Sequence, residues 1–567
     1  MPCVDEQLKI ALVHASISWK NKENNIARLL ALNEEAAKNS ARIIVNTELA
    51  TTGYAFLSRR EIAPLAESIP GPTTEAFGKI ARQYGCYICI GMPERDPRTG
   101  IFYNSAALMG PNGDVVARYR KLSPAFRENL WAAKGNLPVP VVQTEFGVLS
   151  MVICADSYSY RPARVAALQG ARILLVPANW PPMHHNPEKF WRARALENGM
   201  YVLACNRTGM DKVMDCNLAQ SFIVNPQGEA DVRISSPDDI IIYGFLLLDR
   251  ERVGAESALS GRRPQCYGNI TLDPYSHVSI EFLLGLPKAA EFGAATVQLR
   301  SEHLDTKANR KIALDLIDVA LRRAAGEEGD EGKAVNLIVL PELSISGALW
   351  CAELAESCSE EIPGRTTDLF AKKAQEKDLF IVLGMAEKDG GRFFNSSVLI
   401  GPEGVLGRYR AVHLSDRDRC WASPGEGGFA TFDLPFARIG MLLGYDLMFP
   451  EASDSLAKLG ADMLCVPALW GDARSRFIWE ARQSEQMHLA VANQWGDCGG
   501  LHSAGESLLC SYSRYQERVV RRSSPATGDA VNIVQMDTKD TREKRFLENI
   551  DYGMLLDLSG SDCEMRR

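Results

Sequence analysis

Short apolar runs alternate with segments of helical periodicity along the chain. Residues 8–14 form an apolar run that predicts a strand, and the apolar spacing over 24–39 predicts an amphipathic helix. Further strands are predicted over 41–46, 86–91, 104–109, 114–120, 146–153 and 171–176, and further helices over 73–84, 161–169 and 190–198. Gly-Pro-Asn-Gly at 110–113 is a turn sequence, so the strands on either side of it form a predicted hairpin. This mixture predicts an α/β sandwich with sheets inside and helices outside.

The whole pattern occurs twice in the chain. Asn104-Ser105 recurs as Asn395-Ser396. Other matching segments are Ile69-Pro70-Gly71 and Ile362-Pro363-Gly364, Gly91-Met92 and Gly384-Met385, Arg118-Tyr119-Arg120 and Arg408-Tyr409-Arg410, and Val176-Pro177-Ala178 and Val466-Pro467-Ala468. A repeat this long is typical of a duplicated domain and not of a solenoid. We therefore predict two tandem domains, residues 1–289 and residues 290–567.

The composition is that of an ordinary globular protein. The 567 residues are 46% hydrophobic and 24% charged, and the formal net charge is −8. This charge and the lack of a long Lys/Arg run argue against a nucleic-acid partner. No apolar stretch of about 18 residues predicts a membrane span. The first residues are polar and acidic, unlike a signal peptide, so the 14 cysteines are expected to be reduced thiols in a cytoplasmic protein.

Three predicted strands of the first copy are followed by residues that could do chemistry. Glu48 follows one strand, Lys121 follows another and Cys154 a third. Such strand ends are where α/β folds place reactive groups. A thiol becomes a nucleophile when a base takes its proton, a carboxylate can be that base, and an ammonium group can stabilise an oxyanion. Together the three would form an acyl-transfer site, although each alone is more often a buried, capping or solvated residue.

The second copy keeps only one of these three residue types. Glu342 stands at the position of the glutamate, whereas Ala411 and Gly444 stand at the positions of the lysine and the cysteine. Glycine has no side chain with which to attack, and alanine cannot stabilise an oxyanion by charge. The second domain is therefore predicted to be a catalytically silent pseudo-enzyme.

The segments around these residues resemble the motifs of the nitrilase, or carbon–nitrogen hydrolase, superfamily. Thr-Glu-Leu-Ala-Thr-Thr-Gly-Tyr at 47–54 resembles the glutamate motif, Arg-Lys-Leu at 120–122 the lysine motif, and Cys-Ala-Asp at 154–156 the cysteine motif. Pro-Ala-Asn-Trp at 177–180 is a further match, and the resemblance extends over both halves. It implies two tandem nitrilase-like α-β-β-α sandwich domains.

The resemblance also implies roles for individual residues. Cys154 would attack a carbonyl or nitrile carbon. Glu48 would act as the general base, protonate the leaving amine and activate water. Lys121 and the backbone N–H of Ala155 would stabilise the oxyanion. Glu128 matches a second glutamate that positions the substrate or the lysine.

Two aromatic residues inside these motifs, Tyr54 and Trp180, are expected to bind or position the substrate. The resemblance implies neither a metal nor an organic cofactor. Family members usually associate face to face, so the silent copy is expected to complete an intrachain pseudo-dimer, with a further homo-oligomer left open.

The leading hypothesis from the sequence is an amidase. It would hydrolyse a non-peptide C–N bond of a small amide or an N-acyl or carbamoyl compound through a thioester on Cys154. Nitrile hydrolysers of the family tend to carry Cys-Trp-Glu, and Cys-Ala-Asp is nearer to the amidases. A nitrilase and an amide-forming acyltransferase use the same thioester and are the alternatives within this class. A non-catalytic binding or scaffold protein is the alternative from another class.

Overall fold

The computed structural model describes residues 7–125, 127–182, 186–248, 259–275, 279–326, 334–472, 474–515, 518–547 and 550–557. The chain forms two compact units. One comprises Met1–Ser260 together with Leu547–Arg567, and the other comprises Gly261–Phe546. Packing thus assigns the segment 261–289 to the second unit and the C-terminal segment to the first. The domain division after residue 289 stays a prediction about the repeat.

The first unit is built from twelve strands and five helices among the described residues, with a sixth helix from the C-terminal segment. Their bounds are β1 Gln7–His14, α1 Lys22–Lys38, β2 Ile43–Asn46, α2 Arg59–Ile62, α3 Pro72–Tyr84, β3 Tyr87–Arg95, β4 Phe102–Met109, β5 Val115–Arg120, β6 Val141–Thr144, β7 Gly147–Met151, α4 Tyr160–Leu168, β8 Ala171–Pro177, α5 Glu188–Asn198, β9 Tyr201–Cys205, β10 Ser221–Val224, β11 Ala230–Ile234 and β12 Ile240–Leu247. Two 3₁₀ turns, Glu128–Leu130 and Cys154–Ser157, follow β5 and β7.

The strands of the first unit form two six-stranded sheets in the orders β12-β1-β2-β3-β4-β5 and β11-β10-β9-β8-β7-β6. Across the interface between the sheets, β2 packs against β8 and β9. Helices α1 and α3 cover the outer face of the first sheet, and α4 and α5 cover that of the second. The apolar faces of the first pair of helices bury Leu29, Ala36 and Phe77 in one core with Val13 and Ile44 of the strands. This is the α-β-β-α sandwich that the sequence predicts.

The second unit repeats this architecture with a similar set of elements. Their bounds are α6 Ile280–Leu284, β13 Glu291–Gln298, α7 Thr306–Ala324, β14 Leu337–Val339, α8 Ala352–Cys358, α9 Arg365–Lys377, β15 Phe380–Asp389, β16 Arg392–Gly401, β17 Gly404–Arg410, β18 Thr431–Asp433, β19 Arg438–Met441, α10 Pro450–Lys458, β20 Met463–Ala468, α11 Ser475–Ala481, β21 His488–Asn493, β22 Trp495–Cys498, β23 Leu501–Ala504, β24 Leu508–Cys510, β25 Arg521–Ser523 and β26 Ala530–Asp537. The sheets run β17-β16-β15-β14-β13-β26 and β18-β19-β20-β21-β24-β25, and β22 and β23 form a separate hairpin.

The segment that follows the first sandwich in sequence is held by the second unit. Tyr267 is fully buried, and its hydroxyl forms a hydrogen bond of 2.7 Å with His413 Nε2. Arg263 Nη1 donates to the carbonyl oxygens of Val412 and Gly425. In the first unit, the short helix α12 (Tyr552–Leu555) packs against α4. Each unit is therefore completed by a segment that lies, in the sequence, outside the repeat that forms its sheets.

The predicted elements occur in the structure with ends shifted by a few residues. The hairpin at Gly-Pro-Asn-Gly is confirmed, and Gly113 at its tip has a positive φ of 85°. Helix α3 is capped by Gly71, and Thr74 Oγ1 accepts a hydrogen bond from Gly71 N–H at 2.9 Å. No helix in the described part of the chain is both long enough and apolar enough to span a membrane.

Candidate active site

Glu48, Lys121 and Cys154 lie just beyond strand ends of the first unit. Glu48 follows β2 and Lys121 follows β5 in one sheet, whereas Cys154 follows β7 in the other. All three side chains are buried, and Cys154 is the most accessible at 6% exposure. The charges of Glu48 and Lys121 both act on the Cys154 thiol. The fold therefore brings the three residues together at the meeting of the two sheets.

The Glu48 carboxylate is held by donors at both oxygens. Oε1 accepts from Lys121 Nζ at 2.6 Å and from Asn104 Nδ2 at 2.8 Å. Oε2 accepts from the backbone N–H of Asn179 at 2.9 Å, and Asn179 Nδ2 donates to Glu48 O at 2.8 Å. The carboxylate is thus fixed in one orientation before any substrate enters.

Gly91 explains how the backbone at Glu48 can pack so closely against β3. A Cβ atom on Gly91 would lie 2.7 Å from Glu48 Cα, so any side chain there would push away the turn that carries Glu48. In the second unit a Cβ atom on Gly384 would lie 2.5 Å from Glu342 Cα. In both copies, glycine at this site allows the backbone of the glutamate to pack closely against the neighbouring strand.

Lys121 lies between two carboxylates. Its Nζ donates to Glu48 Oε1 and to Glu128 Oε1, each at 2.6 Å, and Tyr54 donates a short hydrogen bond to the same oxygen of Glu128. Burial by itself would lower the pKa of Lys121, but the charges of Glu128 and Glu48 raise it well above its ordinary value. Burial raises the pKa of Glu128 to about 7, against the opposing charge of Lys121. The lysine is therefore an ammonium ion at neutral pH.

Cys154 opens a tight turn with a positive φ of 42°, an uncommon conformation for a residue with a side chain. Its carbonyl oxygen accepts from Ser157 Oγ at 2.6 Å, and Ala155 is the next residue of the same 3₁₀ turn. Burial and then the charge of Glu48 raise the pKa of the Cys154 thiol well above its ordinary value. The resting thiol is therefore protonated at neutral pH.

Asp156 joins the cysteine turn to the lysine segment. Its carboxylate accepts from the backbone N–H of Leu122 at 2.9 Å and of Ser123 at 2.8 Å, and from the Tyr119 hydroxyl at 2.7 Å. Burial raises the pKa of Asp156 to about 6. In the sequence this aspartate is recognisable only as part of the cysteine motif, whereas in the structure it holds the segment after Lys121 beside the cysteine turn.

Two asparagines in the site were not predicted as functional residues. Asn104 and Asn179 both bind Glu48, and the equivalent Asn395 Nδ2 donates to Glu342 Oε1 at 2.8 Å in the second unit. A signal for the first was present in the sequence, because Asn-Ser recurs in both copies. Its contact with the glutamate could not be read from that pattern.

Trp180 lies beyond Asn179, and its position is fixed by its surroundings. Its backbone N–H donates to Asn206 Oδ1 at 2.9 Å, and its ring stacks on Phe190 with centroids 6.1 Å apart. It lines a cavity of about 250 Å³ together with Pro182 and other residues. Trp180 therefore forms part of a cavity wall, whereas Tyr54 contacts Glu128. Their predicted roles towards substrate stay predictions.

The equivalent place in the second unit has a different cation. Arg417 Nη2 donates to Glu342 Oε1 at 3.1 Å and to Asp418 Oδ1 at 2.9 Å, so a guanidinium lies between two carboxylates. Burial raises the pKa of Glu342 to about 7. A Cβ atom on Gly444 would lie 3.2 Å from Glu342 Oε2. The second unit thus keeps a cation between two carboxylates, although it has neither the lysine nor the cysteine.

The described residues contain no group of three or more His, Cys, Asp or Glu side chains arranged to hold a metal ion. The chemistry available in the site is that of a buried thiol, an adjacent carboxylate and an ammonium ion. This set can transfer a proton from the thiol, form a covalent bond to carbon and stabilise a developing negative charge.

Comparison with known proteins gives the family. The carbon–nitrogen hydrolase family model matches residues 9–245 and 293–546. A protein of Pyrococcus abyssi described as a nitrilase is 32% identical over 254 residues, which are 44% of this chain and 92% of that protein. An (R)-stereoselective amidase of a Pseudomonas species is 31% identical over 278 residues, which are 47% of this chain and 93% of that protein.

Solved structures similar to this chain match about half of it. The crystal structure of Saccharomyces cerevisiae Nit3, a member of branch 10 of the nitrilase superfamily, shares 22% identity at a TM-score of 0.40 and covers 44% of this chain and 94% of that chain. The two matches to the family model together cover most of the sequence. The chain therefore belongs to the carbon–nitrogen hydrolase family, whose members are hydrolases that act on C–N bonds.

Proposed function

We propose that the first unit is an amidase that hydrolyses a small amide, or an N-acyl or carbamoyl compound, through a thioester on Cys154. The observation that carries the proposal is the buried contact of Lys121 Nζ with Glu48 Oε1 at 2.6 Å beside the Cys154 thiol. A scaffold protein would bury these charges at a cost in stability, without using them. A relative described as an amidase supports an amide as the substrate class.

The protonation state of the Cys154 thiol determines how the reaction starts. Because the raised pKa of Cys154 keeps the thiol protonated, the nucleophile has to be formed as the substrate is attacked. Glu48 takes the Sγ proton while the S–C bond forms, and the carbonyl oxygen becomes an oxyanion. Lys121 Nζ and the N–H of Ala155 would stabilise that oxyanion.

The remaining steps return every group to its starting state. Glu48 gives its proton to the leaving nitrogen, the C–N bond breaks, and ammonia or an amine departs. Water then attacks the thioester carbon, Glu48 takes a proton from the water, and the S–C bond breaks as Cys154 regains a proton. Glu128 would hold Lys121 in place and Tyr54 would hold Glu128, since these contacts exist without substrate.

A small substrate is favoured by the burial of the site. Cys154 is only 6% exposed, and Glu48 and Lys121 are almost completely buried. A folded polypeptide could not bring its backbone to such a thiol. Nitrile hydrolysis and acyl transfer to an amine pass through the same thioester, and the products released distinguish them from amide hydrolysis.

We further propose that the second unit is a silent partner of the first in an intrachain pseudo-dimer, with the whole acting in the cytoplasm. The exchange of closing segments supports a dependence of each unit on the other half of the chain. A fragment of residues 1–290 lacks the segment around α12 and is expected to be insoluble or inactive. A soluble fragment with full activity would contradict this proposal.

The test of the amidase proposal is mass spectrometry of an acyl-enzyme, combined with ammonia release from a panel of small amides. We expect wild-type protein quenched with acid during turnover to carry the acyl mass on the peptide that contains Cys154, and the Glu48→Gln variant to carry none, because formation of the thioester needs the base. Cys154→Ala should show neither acylation nor ammonia release. Cys89→Ala is the matched control, since burial raises the pKa of that thiol to about 12 and it lies in strand β3. Ammonia release by Cys154→Ala at the wild-type rate would refute the proposal.

A further inference from the structure

We propose that the second unit carries a binding site for a small oxyanion, such as a phosphate or carboxylate group. The site is a cavity of about 290 Å³ beside strands β16 and β17. It is lined by three arginines, two aromatic rings and a glycine-rich loop, namely Arg392, Arg408, Arg410, Phe394, Tyr409 and residues 425–428. This proposal does not depend on the reaction of the first unit.

Both units share a framework of paired arginines at this place. In the first unit, Arg118 and Arg120 both bind the buried carboxylate of Glu94. In the second unit, Arg408 Nη1 donates to Glu387 Oε1 at 2.6 Å, and Arg410 Nε donates to Glu387 Oε2 at 2.9 Å. A framework found in both copies is structural, so a binding site has to come from what differs between them.

The first difference lies in the loop after the arginine strand. In the first unit, Asn136 Oδ1 accepts from Arg120 Nη1 at 2.8 Å, and Leu137 and Pro138 follow. The second unit has Glu426, Gly427 and Gly428 at these three positions. Within the described part of the chain, nothing accepts a hydrogen bond from Arg410 Nη1. The arginine edge that is occupied in one unit is therefore available in the other.

The second difference is the missing side-chain volume. A Cβ atom on Gly427 would meet no atom within 4 Å, and the same holds for Gly428. Gly428 has a positive φ of 66°, whereas Gly427 lies outside that range. The cavity beside the arginines stays open at residues 427 and 428 because neither has a side chain to fill it.

The third difference is an additional positive charge. Arg392 stands where the first copy has Ile101, and its exposed ion pair with Glu426 at 3.2 Å is a weak interaction in water. The guanidinium groups of Arg410 and Arg392 lie 3.8 and 5.2 Å from the ring centroid of Phe394. Both guanidinium groups therefore lie close to one aromatic ring in the wall of the cavity.

Three arginines and three carboxylates surround the cavity, and an anion is favoured by their different exposure to solvent. Glu387 is fully buried and serves two arginines, while Asp389 and Glu426 are half exposed or more. Solvent screens these two outer carboxylates more strongly than Arg410, whose side chain is 19% exposed and whose Nη2 also pairs with Asp389 at 2.5 Å. Guanidinium edges match the geometry of carboxylate and phosphate oxygens, which defines the ligand class.

The test is isothermal titration calorimetry on the full chain, with inorganic phosphate and with succinate as separate probes at low ionic strength. We expect at least one of them to bind at millimolar concentration or tighter, and added salt to weaken the binding. The probe that binds identifies the ligand as a phosphate or a carboxylate.

Two variants should weaken anion binding without disturbing the ion pairs that the buried Glu387 forms with Arg408 and Arg410. Gly427→Leu restores the residue of the first copy and should reduce affinity more than roughly tenfold by filling the cavity, and Arg392→Gln should reduce it roughly tenfold. Gly268→Leu is the matched control, because a Cβ atom there also meets nothing within 4 Å and lies elsewhere in the same unit. The proposal is overturned if neither probe binds, or if Gly427→Leu binds as tightly as Gly268→Leu.

Discussion

Arg417 provides a quantitative test of how the second unit survives without the lysine. Its guanidinium is the cation between Glu342 and Asp418, whose side chains are 4% and 3% exposed. The substitution Arg417→Met keeps an unbranched side chain of similar length and removes the charge. Two carboxylates would then share a buried site with no cation between them.

The expected loss of stability depends on pH. Removing one partner of a buried ion pair costs about 3–5 kcal/mol. Burial already raises the pKa of Glu342 to about 7 with Arg417 present, so without Arg417 this pKa rises further. Protonating an unpaired carboxylate costs about 1.4 kcal/mol for each pH unit above an ordinary carboxyl pKa of about 4. This cost is about 1.4 kcal/mol at pH 5, whereas at pH 8 it exceeds the cost of leaving the carboxylate charged, so we expect a loss of about 1–2 kcal/mol at pH 5 and about 3–5 kcal/mol at pH 8.

The direction in which stability changes with pH follows from proton binding. A carboxyl group whose pKa is higher in the folded state than in the unfolded state binds more protons when folded, so stability falls as pH rises between the two pKa values. For Glu342 in the wild type this window runs from about 4, the ordinary carboxyl value, to about 7. In the variant the window extends above pH 7, which is why the two proteins diverge most in alkaline solution.

The assay is equilibrium urea unfolding at both pH values, with hydrogen exchange to assign the transition to the second unit. Arg419→Met is the control, because its pair with Asp416 at 3.0 Å is exposed and should contribute less than about 1 kcal/mol. Adding Ala411→Lys to the Arg417→Met variant should recover part of the loss by restoring a cation at the position equivalent to Lys121. Equal losses for the two arginine variants, or a loss that does not change with pH, would refute the reasoning.

Three further predictions concern the first unit. Asn104→Leu removes a donor to Glu48 and should lower kcat roughly 10- to 100-fold in ammonia-release assays, whereas Asn395→Leu should leave kcat within about twofold. Gly91→Ala should lower kcat at least tenfold and destabilise the protein by about 1–3 kcal/mol in urea unfolding, since its Cβ atom would lie 2.7 Å from Glu48 Cα. Iodoacetamide labelling of Cys154, followed by peptide mass spectrometry, should accelerate with pH through the alkaline range because the thiol pKa is raised; a plateau near pH 6 would indicate a preformed thiolate instead.

Much of the fold could be predicted because apolar periodicity and the internal repeat agree with each other. The predicted strand over 8–14 and helix over 24–39 occur as β1 and α1. The strands after residue 200 in the first unit are not among the predicted elements, and they include β12, which pairs with β1 along its whole length. That pairing joins residues far apart in sequence, so local periodicity cannot predict it.

The chemistry of the site could be predicted as residue types but not as contacts. Glu48 and Cys154 were recognisable from their motifs, whereas the contact of Asn179 N–H with Glu48 Oε2 depends on two loops meeting. Arg417 could not be predicted to replace the lost lysine, because its guanidinium reaches Glu342 from a different position in the loop. Side-chain reach and loop conformation decide such contacts, and neither is visible in a sequence pattern.

The internal repeat also could not predict that each unit is completed by a segment from outside its own repeat. Tyr267 belongs by sequence to the end of the first copy, yet its hydroxyl forms a hydrogen bond with His413, which also bonds to Asp446 at 2.8 Å. The repeat shows which segments are related by duplication. It does not show against which sheet the connecting segment packs.

We propose that hydrolysis takes place in the first unit and that the second unit is silent. The most direct measurement compares ammonia release from a small-amide panel by two matched variants, Glu48→Gln and Glu342→Gln, in the full chain. The account predicts a loss of about a thousandfold or more for Glu48→Gln and a rate within about twofold of the wild type for Glu342→Gln. Equal losses in the two variants, or a larger loss in Glu342→Gln, would contradict it.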